Sequence, residues 1–393
     1  MSAPPILPRP HLLKISRDRE WGVQRSRYVR LDRNEQVAAL PERIRHEILA
    51  GLSADLFNAY PDPRPLYERL SRALGLGEEN LFITAGSDAA IRRVFETFVA
   101  PGDAVAFADP TYPMYEIYCQ LHQARAVVIP YETSRRLPVE RLHDALKTRP
   151  RILALVNPAQ PTGTVLAADE LRRLAAAAEK AGTVFIIDEA YYPFFPETAM
   201  SWFAEFGNVI VTRTFSKAGG IAGLRLGYLA TNRRLVDYIQ RTRGSHEVNS
   251  VAVAVGCYLL DHPELERTRL REIEAGRAVL CAEAEKLGLL APSSAGNFQL
   301  LSIAGPEGTP AWISALQQKG FLVKGPFRAP CLRDCIRVTL DGPEIMAAFS
   351  AALSEVAGEL RPGPSPDSHV LSPPDFAPRI VAGAATAVQP VLP

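Results

Sequence analysis

Seven short apolar segments alternate with segments of helical periodicity between residues 80 and 230 of this 393-residue chain. Continuous apolar strands that alternate with helices are typical of a mostly parallel sheet whose two faces are covered. The pattern therefore predicts an α/β fold with a mostly parallel central sheet flanked by helices. The apolar segments are LFITA (81–85), AVAFA (104–108), ARAVVIP (124–130), RILALV (151–156), TVFIID (183–188), NVIVTR (208–213) and RLGYLA (225–230).

The rest of the chain predicts a second, smaller domain. Residues 233–290 have a helical pattern almost throughout, and strand-like and helical segments alternate again from 297 to 360. A smaller α+β domain is therefore expected, and we expect the segment rich in Pro, Ala and Ser at the end of the chain to be disordered. The predicted divisions are an N-terminal arm packing on the small domain (1–50), a large domain (51–290), a small C-terminal domain (291–360) and a disordered tail (361–393).

Composition and charge exclude several classes of function. Lys and Arg number 44 against 43 Asp and Glu, so bulk charge favours neither nucleic acid nor a membrane surface as a partner. The five cysteines include no C-x-x-C pair, which argues against a disulfide framework or a metal site. Because no secretory signal and no apolar stretch of about 18 residues occurs, we expect a cytoplasmic protein.

Ligands of such a sheet bind beyond the carboxyl ends of its strands, so the residues that follow each apolar segment deserve first inspection. Gly86, Ser87 and Asp88 follow the first segment and open a helix. They could offer backbone N–H groups to a phosphate, or Ser87 could simply cap the helix. Tyr112, in DPTYPMY, follows the second segment and could stack on a flat ligand or pack in the core.

Two later strand ends carry charged groups. Asp188 ends a wholly apolar strand, and a buried carboxylate there needs a partner because burying an unpaired charge is costly. The segment TFSKAGGIAGLRLG places hydroxyls, an amine and a guanidinium among glycines that let the backbone approach a ligand closely. Its polar members are Thr214, Ser216, Lys217 and Arg225. This set indicates phosphate binding beside a reactive amine.

One cofactor requires an amine, an acid, a stacking ring and a phosphate site together, and that cofactor is pyridoxal 5′-phosphate. Its aldehyde forms a Schiff base with a lysine, and a carboxylate keeps its ring nitrogen protonated. The chain has no G-x-x-x-x-G-K-[ST] motif, and no G-x-G-x-x-G follows the first strand of the series. Nucleoside triphosphates and nicotinamide dinucleotides therefore lose their main sequence support.

The motifs together resemble those of pyridoxal-phosphate-dependent class I/II aminotransferases. The resemblance is closest to the histidinol-phosphate aminotransferase-like branch, which includes threonine-phosphate decarboxylases, and it covers roughly residues 30–360. It implies the fold-type I transferase architecture. The motifs that carry it are YPDP, AGSDAAI, DPTYPMY, NPAQPTG, DEAYYPF, TFSKAGGIAGLRLGY and CIRVTL.

The resemblance implies a role for each matching residue. Lys217 would form the Schiff base and carry the proton, Asp188 would pair with the pyridine nitrogen, and Tyr191 would hydrogen-bond the 3′ oxygen. Tyr112 would stack on the ring, and Arg337 would bind the substrate carboxylate as a bidentate fork. The phosphate would be held by Gly86, Ser87, Asp88, Thr214, Ser216 and Arg225.

The resemblance also implies a homodimer, because Tyr60 would reach the cofactor phosphate of the neighbouring subunit. Three positions near the substrate differ from the pattern or match it only in part. Gln160, in VNPAQPTGT, stands where the family has Asn, and we expect it still to face the cofactor while Asn157 holds the loop. Asn34 matches the N-terminal substrate motif, whose Pro and Gly are missing, and Lys324 replaces an arginine that binds the substrate phosphate.

The leading hypothesis is an enzyme that moves an amino group between an amino acid, plain or phosphorylated, and a 2-oxo acid. The alternative is a decarboxylase of phosphorylated serine or threonine, because substrate orientation over the same cofactor decides between the two reactions. A non-catalytic binding protein on the same fold is the third hypothesis. The expected partners are small-molecule substrates and a second copy of the chain.

Overall fold

The computed structural model describes residues 6–17, 23–303 and 308–360, so the predicted disordered tail lies outside the described residues. Strands in chain order are β1 (Val29–Leu31), β2 (Leu81–Thr84), β3 (Ala104–Asp109), β4 (Arg125–Pro130), β5 (Ile152–Val156), β6 (Val184–Asp188), β7 (Val209–Thr214), β8 (Gly227–Ala230), β9 (Phe298–Ser302), β10 (Phe321–Val323) and β11 (Cys335–Thr339). Helices are α1 (Glu42–Ala50), α2 (Arg64–Leu74), α3 (Ser87–Phe98), α4 (Met114–Leu121), α5 (Val139–Lys147), α6 (Ala168–Ala181), α7 (Arg233–Gln240), α8 (Ser250–Asp261), α9 (Pro263–Lys286), α10 (Thr309–Gln318) and α11 (Pro343–Leu360).

The central sheet has seven strands in the order β2-β8-β7-β6-β5-β3-β4. Neighbours from β7 to β4 pair in parallel, whereas β8 runs antiparallel to both β7 and β2. All seven apolar segments of the sequence form strands of this sheet, which confirms the predicted mostly parallel α/β fold. The seventh strand begins two residues later than its apolar segment because Arg225 adopts a left-handed backbone conformation.

Helices cover both faces of the sheet. Leu153 and Leu155 of β5 belong to one apolar cluster, together with side chains of α5 and α6. Ile152 and Ala154 belong to a second cluster, together with side chains of α3 and α4. Successive residues of a strand point to opposite faces, so a strand buried on both sides must be apolar at every position.

A third apolar cluster lies among α9, α10, α11 and the short strands. Strand β1 pairs in parallel with β10, and β9 pairs antiparallel with β11. Leu31 of β1 is fully buried in this cluster, so residues near the start of the chain pack against residues near its end. The predicted domain boundaries at residues 50 and 290 stay predictions.

Close packing of α9 beside the loop after β11 depends on a glycine. A Cβ added at Gly276 would overlap the carbonyl oxygen of Asp341, whereas one at Gly358, exposed on α11, would meet nothing within 4 Å. We expect Gly276→Ala to lower the free energy of unfolding by about 1–3 kcal/mol through overpacking. The matched Gly358→Ala should raise it by up to about 1 kcal/mol through helix propensity.

Chemical denaturation of the two variants beside the parent protein measures both changes. Equal effects of the two substitutions would contradict this account of the packing between α9 and the Asp341 loop.

Candidate active site

Asp188 ends β6 at the centre of the sheet, and its carboxylate is buried. The Thr212 hydroxyl donates to Oδ1 at 3.0 Å, the Ala190 backbone N–H donates to Oδ1 at 3.2 Å, and the Tyr115 hydroxyl donates to Oδ2 at 3.3 Å. Burial raises the pKa of Asp188 to about 6, although these donors oppose the rise. The carboxylate is thus held in one orientation by three donors.

Lys217 lies in the loop after β7, on the same side of the sheet. Its Nζ donates to the backbone carbonyl of Arg33 at 2.9 Å and lies 5.9 Å from the centre of the Tyr191 ring. Burial, together with the positive charge of Arg337, lowers the pKa of Lys217 to about 7. The amine is therefore poised to lose its proton near neutral pH, as a nucleophile or proton carrier requires.

The Tyr191 hydroxyl is fixed from one side. Asn34 donates its side-chain N–H to that hydroxyl at 2.8 Å, so the Tyr191 O–H hydrogen is left to point to another acceptor. Asn34 has a φ of 55° and is itself held, because its backbone N–H donates to Thr339 and its carbonyl accepts from the Asn297 amide. The structure thus brings Asn34, Tyr191 and Lys217 together, as the sequence hypothesis required.

The predicted phosphate-binding residues also converge. Arg225 Nη1 donates to Ser216 Oγ at 3.1 Å, and Thr214 Oγ1 donates to the same oxygen at 2.9 Å. Two glycines allow the backbone to approach: a Cβ at Gly86, where φ is 86°, would lie 2.7 Å from Arg225 Nη2, and one at Gly227 would lie 2.6 Å from the Ser87 nitrogen. A guanidinium and two hydroxyls therefore lie together beside the first turn of α3, whose backbone N–H groups can bind an anion.

Tyr112 and Asp88 contact each other beside this space. The Tyr112 hydroxyl donates to Asp88 Oδ1 at 3.2 Å, and Tyr118 donates to the same oxygen at 3.0 Å. Tyr112 is half-buried and meets the Tyr115 ring edge-on at 6.4 Å. Its predicted stacking on the cofactor ring stays a prediction.

The side-chain amide of Asn157 bridges the two ends of the loop that follows β5. Asn157 Oδ1 accepts from the Leu166 backbone N–H at 2.8 Å, and its backbone N–H donates to the Asp188 carbonyl at 2.9 Å. Asn157 therefore holds the loop, as the sequence predicted. Gln160 is half-buried in the same loop, and its predicted contact with the cofactor stays a prediction.

Arg337 is buried on β11, with its guanidinium carbon 5.5 Å from the centre of the Phe298 ring. Nη2 donates to the Asp32 carbonyl at 2.9 Å, while Nε and Nη1 are buried without a hydrogen-bond partner in the described part of the chain. Burial lowers the pKa of Arg337 from its ordinary value. Exposed Lys324 exchanges both backbone hydrogen bonds with Arg337, which places the two side chains on one face of the strand pair.

Tyr60 stands apart from this group. It is 83% exposed, and its ring stacks on His246 with 4.3 Å between centroids and an interplanar angle of 6°. Among the described residues, none of its ring contacts or hydrogen bonds reaches the other predicted site residues. A role in the cofactor site therefore requires a second subunit.

Sequence reasoning missed several residues of the site. Tyr115 and Thr212 contact Asp188 directly, yet Tyr115 at the end of DPTYPMY and Thr212 inside an apolar segment both look like core residues. A signal for Thr212 does exist: it is a polar residue inside a buried strand, at the position paired with Asp188. Thr339 and Asn297, which hold Asn34, carry no such signal.

The residues of this site fit pyridoxal 5′-phosphate. A reactive amine, a buried carboxylate, a tyrosine hydroxyl with a free hydrogen and a guanidinium beside two hydroxyls form the donor set that this cofactor requires. A Cβ at Gly86 would meet the Arg225 guanidinium, and one at Gly227 would meet the backbone at the start of α3. The donor set therefore suits a phosphorylated aldehyde.

The family model for aminotransferase class I and II matches residues 27–347 of this chain. The chain belongs to this family. Within it, the aminotransferase is 33% identical over 334 residues to histidinol-phosphate aminotransferase 1 of Burkholderia lata, covering 84% of this chain and 92% of that protein. It is 31% identical over 331 residues to the histidinol-phosphate aminotransferase of Caldanaerobacter subterraneus, covering 83% and 92%.

Solved structures agree with this assignment. The histidinol-phosphate aminotransferase of Sinorhizobium meliloti in complex with pyridoxal 5′-phosphate superposes with a TM-score of 0.82 at 26% identity, covering 90% of this chain and 98% of that one. The L-threonine-O-3-phosphate decarboxylase of Porphyromonas gingivalis has a TM-score of 0.70 at 21% identity, covering 83% and 98%, and shows the shared fold alone. The protein is therefore a fold-type I, pyridoxal-phosphate-dependent aminotransferase of the histidinol-phosphate aminotransferase-like branch.

The described residues offer neither a metal site nor a membrane-spanning helix. Among those residues, no group of His, Cys, Asp and Glu side chains is placed to hold a metal ion. No helix among them has the length and apolar character needed to cross a membrane.

The lowered pKa of Lys217 predicts selective chemistry in the cofactor-free protein. At pH 7 about half of a lysine with a pKa near 7 is neutral, against roughly 0.03% for an ordinary lysine. Brief reductive methylation with formaldehyde should therefore label Lys217 far faster than Lys147, an exposed lysine whose pKa is raised by Asp144. The rate at Lys217 should level off above pH 8, and peptide mass spectrometry measures it. A rate that keeps rising to pH 10 would show an ordinary amine.

Proposed function

We propose that this aminotransferase binds the α-carboxylate of an amino acid at Arg337 and moves the amino group to the cofactor and then to a 2-oxo acid. The observation that carries the proposal is the buried guanidinium of Arg337, whose Nε and Nη1 have no partner among the described residues. Nε and Nη1 each share an edge of the guanidinium with Nη2, and the two donors of either edge match the two oxygens of a carboxylate. An anionic substrate group on one of these edges would satisfy one of the two unpartnered nitrogens.

The cofactor, when bound, supplies an aldehyde that accepts the amino group and a ring that withdraws electrons from the substrate Cα. Asp188 would hold the ring nitrogen in its protonated form, since a carboxylate stabilises a positive charge beside it. Tyr191 would donate its free hydroxyl hydrogen to the 3′ oxygen. Gln160 and the ring of Tyr112 would contact the cofactor from neighbouring loops.

Lys217 would take the proton from the substrate Cα and return it to the cofactor carbon. A pKa of about 7 suits both directions, because the amine is neither strongly protonated nor strongly basic at neutral pH. The cofactor phosphate would be held by the residues that already converge near the start of α3: Gly86, Ser87, the Asp88 backbone, Thr214, Ser216 and Arg225.

Asn34 and Lys324 would determine which substrate side chains fit. Asn34 is tied to Tyr191, and the Lys324 strand position lies opposite Arg337. A lysine there keeps a positive charge without the planar fork of an arginine. The site would therefore accept a phosphorylated amino compound less selectively than an arginine-bearing site. No observation in the structure favours decarboxylation over transfer.

The enzyme would act in the cytoplasm as a two-fold homodimer with shared sites. The five cysteines are free thiols, as expected in a reducing compartment. The exposed Tyr60 lies at the rim of a groove of about 540 Å³ beside α2 and α8, and a second subunit covering this groove would receive the Tyr60 hydroxyl at its cofactor phosphate.

The role of Arg337 is tested by Arg337→Lys. Loss of the bidentate contact should raise KM for the amino acid by about 10- to 100-fold, since a hydrogen bond to a charged group contributes about 1.5–3 kcal/mol. The control is Arg333→Lys, a change at an exposed arginine that should leave KM unchanged.

Product analysis in the same assay separates the two reactions. A 2-oxo acid from plain amino acids supports the proposal, whereas carbon dioxide with an amine product would replace it with decarboxylation. Lys324→Ala should raise KM only for phosphorylated compounds.

Shared sites predict complementation between an impaired variant and an inactive one. Tyr60→Ala weakens the phosphate contact, and Lys217→Ala removes the reactive amine. A mixed dimer contains one site with Lys217 from one subunit and Tyr60 from the other, so mixing should restore up to about half of the parental activity per mixed dimer. Subunit exchange followed by an activity assay measures this. No recovery in a verified mixed dimer would place Tyr60 outside the partner's site.

A further inference from the structure

Both oxygens of the Asp188 carboxylate accept a hydrogen bond from a hydroxyl group. Thr212 donates to Oδ1 at 3.0 Å, and Tyr115 donates to Oδ2 at 3.3 Å. The established activity assigns neither hydroxyl a role. A tyrosine or threonine hydroxyl in these apolar surroundings requires a hydrogen-bond partner, because burying a polar group without one is costly.

The fold fixes both donors. Tyr115 is fully buried on α4, with its ring stacked against Phe107 at 6.3 Å and met edge-on by Tyr112 at 6.4 Å. Thr212 pairs with Asp188 in the register between β6 and β7, so its side chain shares the face of Asp188. The Tyr115 hydroxyl cannot turn away from the carboxylate without disturbing a packed ring, and the strand register keeps the Thr212 side chain beside Asp188.

The charge around Asp188 acts against its ionised form. Burial disfavours the carboxylate, and the negative charge of Asp88 adds to this effect. Asp88 is satisfied separately, by the hydroxyls of Tyr112 and Tyr118. Hydrogen bonds from Thr212 and Tyr115 favour the ionised form, so these two hydroxyls oppose the rise in the pKa of Asp188 that burial causes.

We infer that Tyr115 and Thr212 are positioning residues that keep the Asp188 carboxylate ionised and aimed at the cofactor ring nitrogen, and so set how fully that nitrogen is protonated. The inference rests on the proposed pairing of Asp188 with that nitrogen. One proton is shared between the two groups, and it lies on the nitrogen when the carboxylate is the weaker base.

Removal of one hydroxyl makes the carboxylate a stronger base. The proton then moves from the ring nitrogen to Asp188: an N–H bond breaks, an O–H bond forms, and the ring loses its positive charge. A neutral ring withdraws fewer electrons from the substrate Cα, so proton removal there slows. Substrate binding at Arg337 should be unaffected, which separates kcat from KM.

The test uses Tyr115→Phe and Thr212→Val, each nearly isosteric with the parent side chain. Each is loaded with pyridoxal 5′-phosphate labelled with ¹⁵N at the ring. The ¹⁵N chemical shift reports protonation of the ring nitrogen directly and does not depend on turnover. Tyr67→Phe is the control, because the Tyr67 hydroxyl accepts from the Ile83 backbone N–H on the far edge strand β2 and has no contact with Asp188.

We expect both variants to move the ¹⁵N shift toward that of a neutral pyridine and to lower kcat about ten- to 100-fold with KM unchanged, the order expected for a charge-assisted hydrogen bond. Thr212→Val should have the larger effect because its bond is shorter. Tyr67→Phe should leave both quantities at their parental values. If Tyr115→Phe does not fold, the Thr212→Val result decides alone.

The variant Asp188→Asn tests the pairing of Asp188 with the ring nitrogen separately from the roles of Tyr115 and Thr212. If Asp188→Asn moves the ¹⁵N shift but Tyr115→Phe and Thr212→Val do not, the positioning role is wrong and the Asp188 pairing stands. If Asp188→Asn leaves the shift unchanged, the pairing itself is wrong. An equal shift in Tyr67→Phe would mean a general packing effect and would overturn the inference.

Discussion

The parallel pairing of β5, β6 and β7 is the constraint on which the rest of the site depends. In this register Val156 lies beside Asp188, and Asp188 lies beside Thr212. Side chains alternate along a strand, so a slip of one residue would turn Asp188 to the opposite face of the sheet and separate it from Thr212. The loops that follow these strands carry Asn157, Tyr191 and Lys217, and they start from one edge only because the three strand ends are level.

The sequence predicted the sheet well because burial on both faces leaves a strong signal. Every apolar segment between residues 80 and 230 forms a strand, and helices alternate with most of these strands along the chain. The sequence singled out Asp188 for a related reason, since burying a charged group without a partner is costly, and Lys217 as an amine among the hydroxyls and glycines that follow the next strand. The identity of the chemistry followed from the combination of residue types rather than from any one of them.

The parts that could not be predicted involve backbone atoms and residues that resemble core. Lys217 donates to a carbonyl, that of Arg33, and Arg337 donates to another, that of Asp32. Every residue has a backbone carbonyl oxygen, so the amino-acid sequence does not reveal which carbonyl accepts a hydrogen bond. Tyr115 could not be predicted for a different reason. Its ring packs like that of any core aromatic residue, and only its hydroxyl contacts Asp188.

The site joins residues from opposite ends of the chain, and this has a consequence for synthesis on the ribosome. The central sheet can be completed once Ala230 has emerged, and with it the residues that we propose to hold the cofactor phosphate. The backbone N–H of Asn34, however, donates to the Thr339 hydroxyl, which lies 305 residues later in the chain. A nascent or prematurely terminated chain can therefore contain a complete central sheet and still lack Arg337 and the contacts that hold Asn34, because contacts of such long sequence separation form only when the last strand has been made.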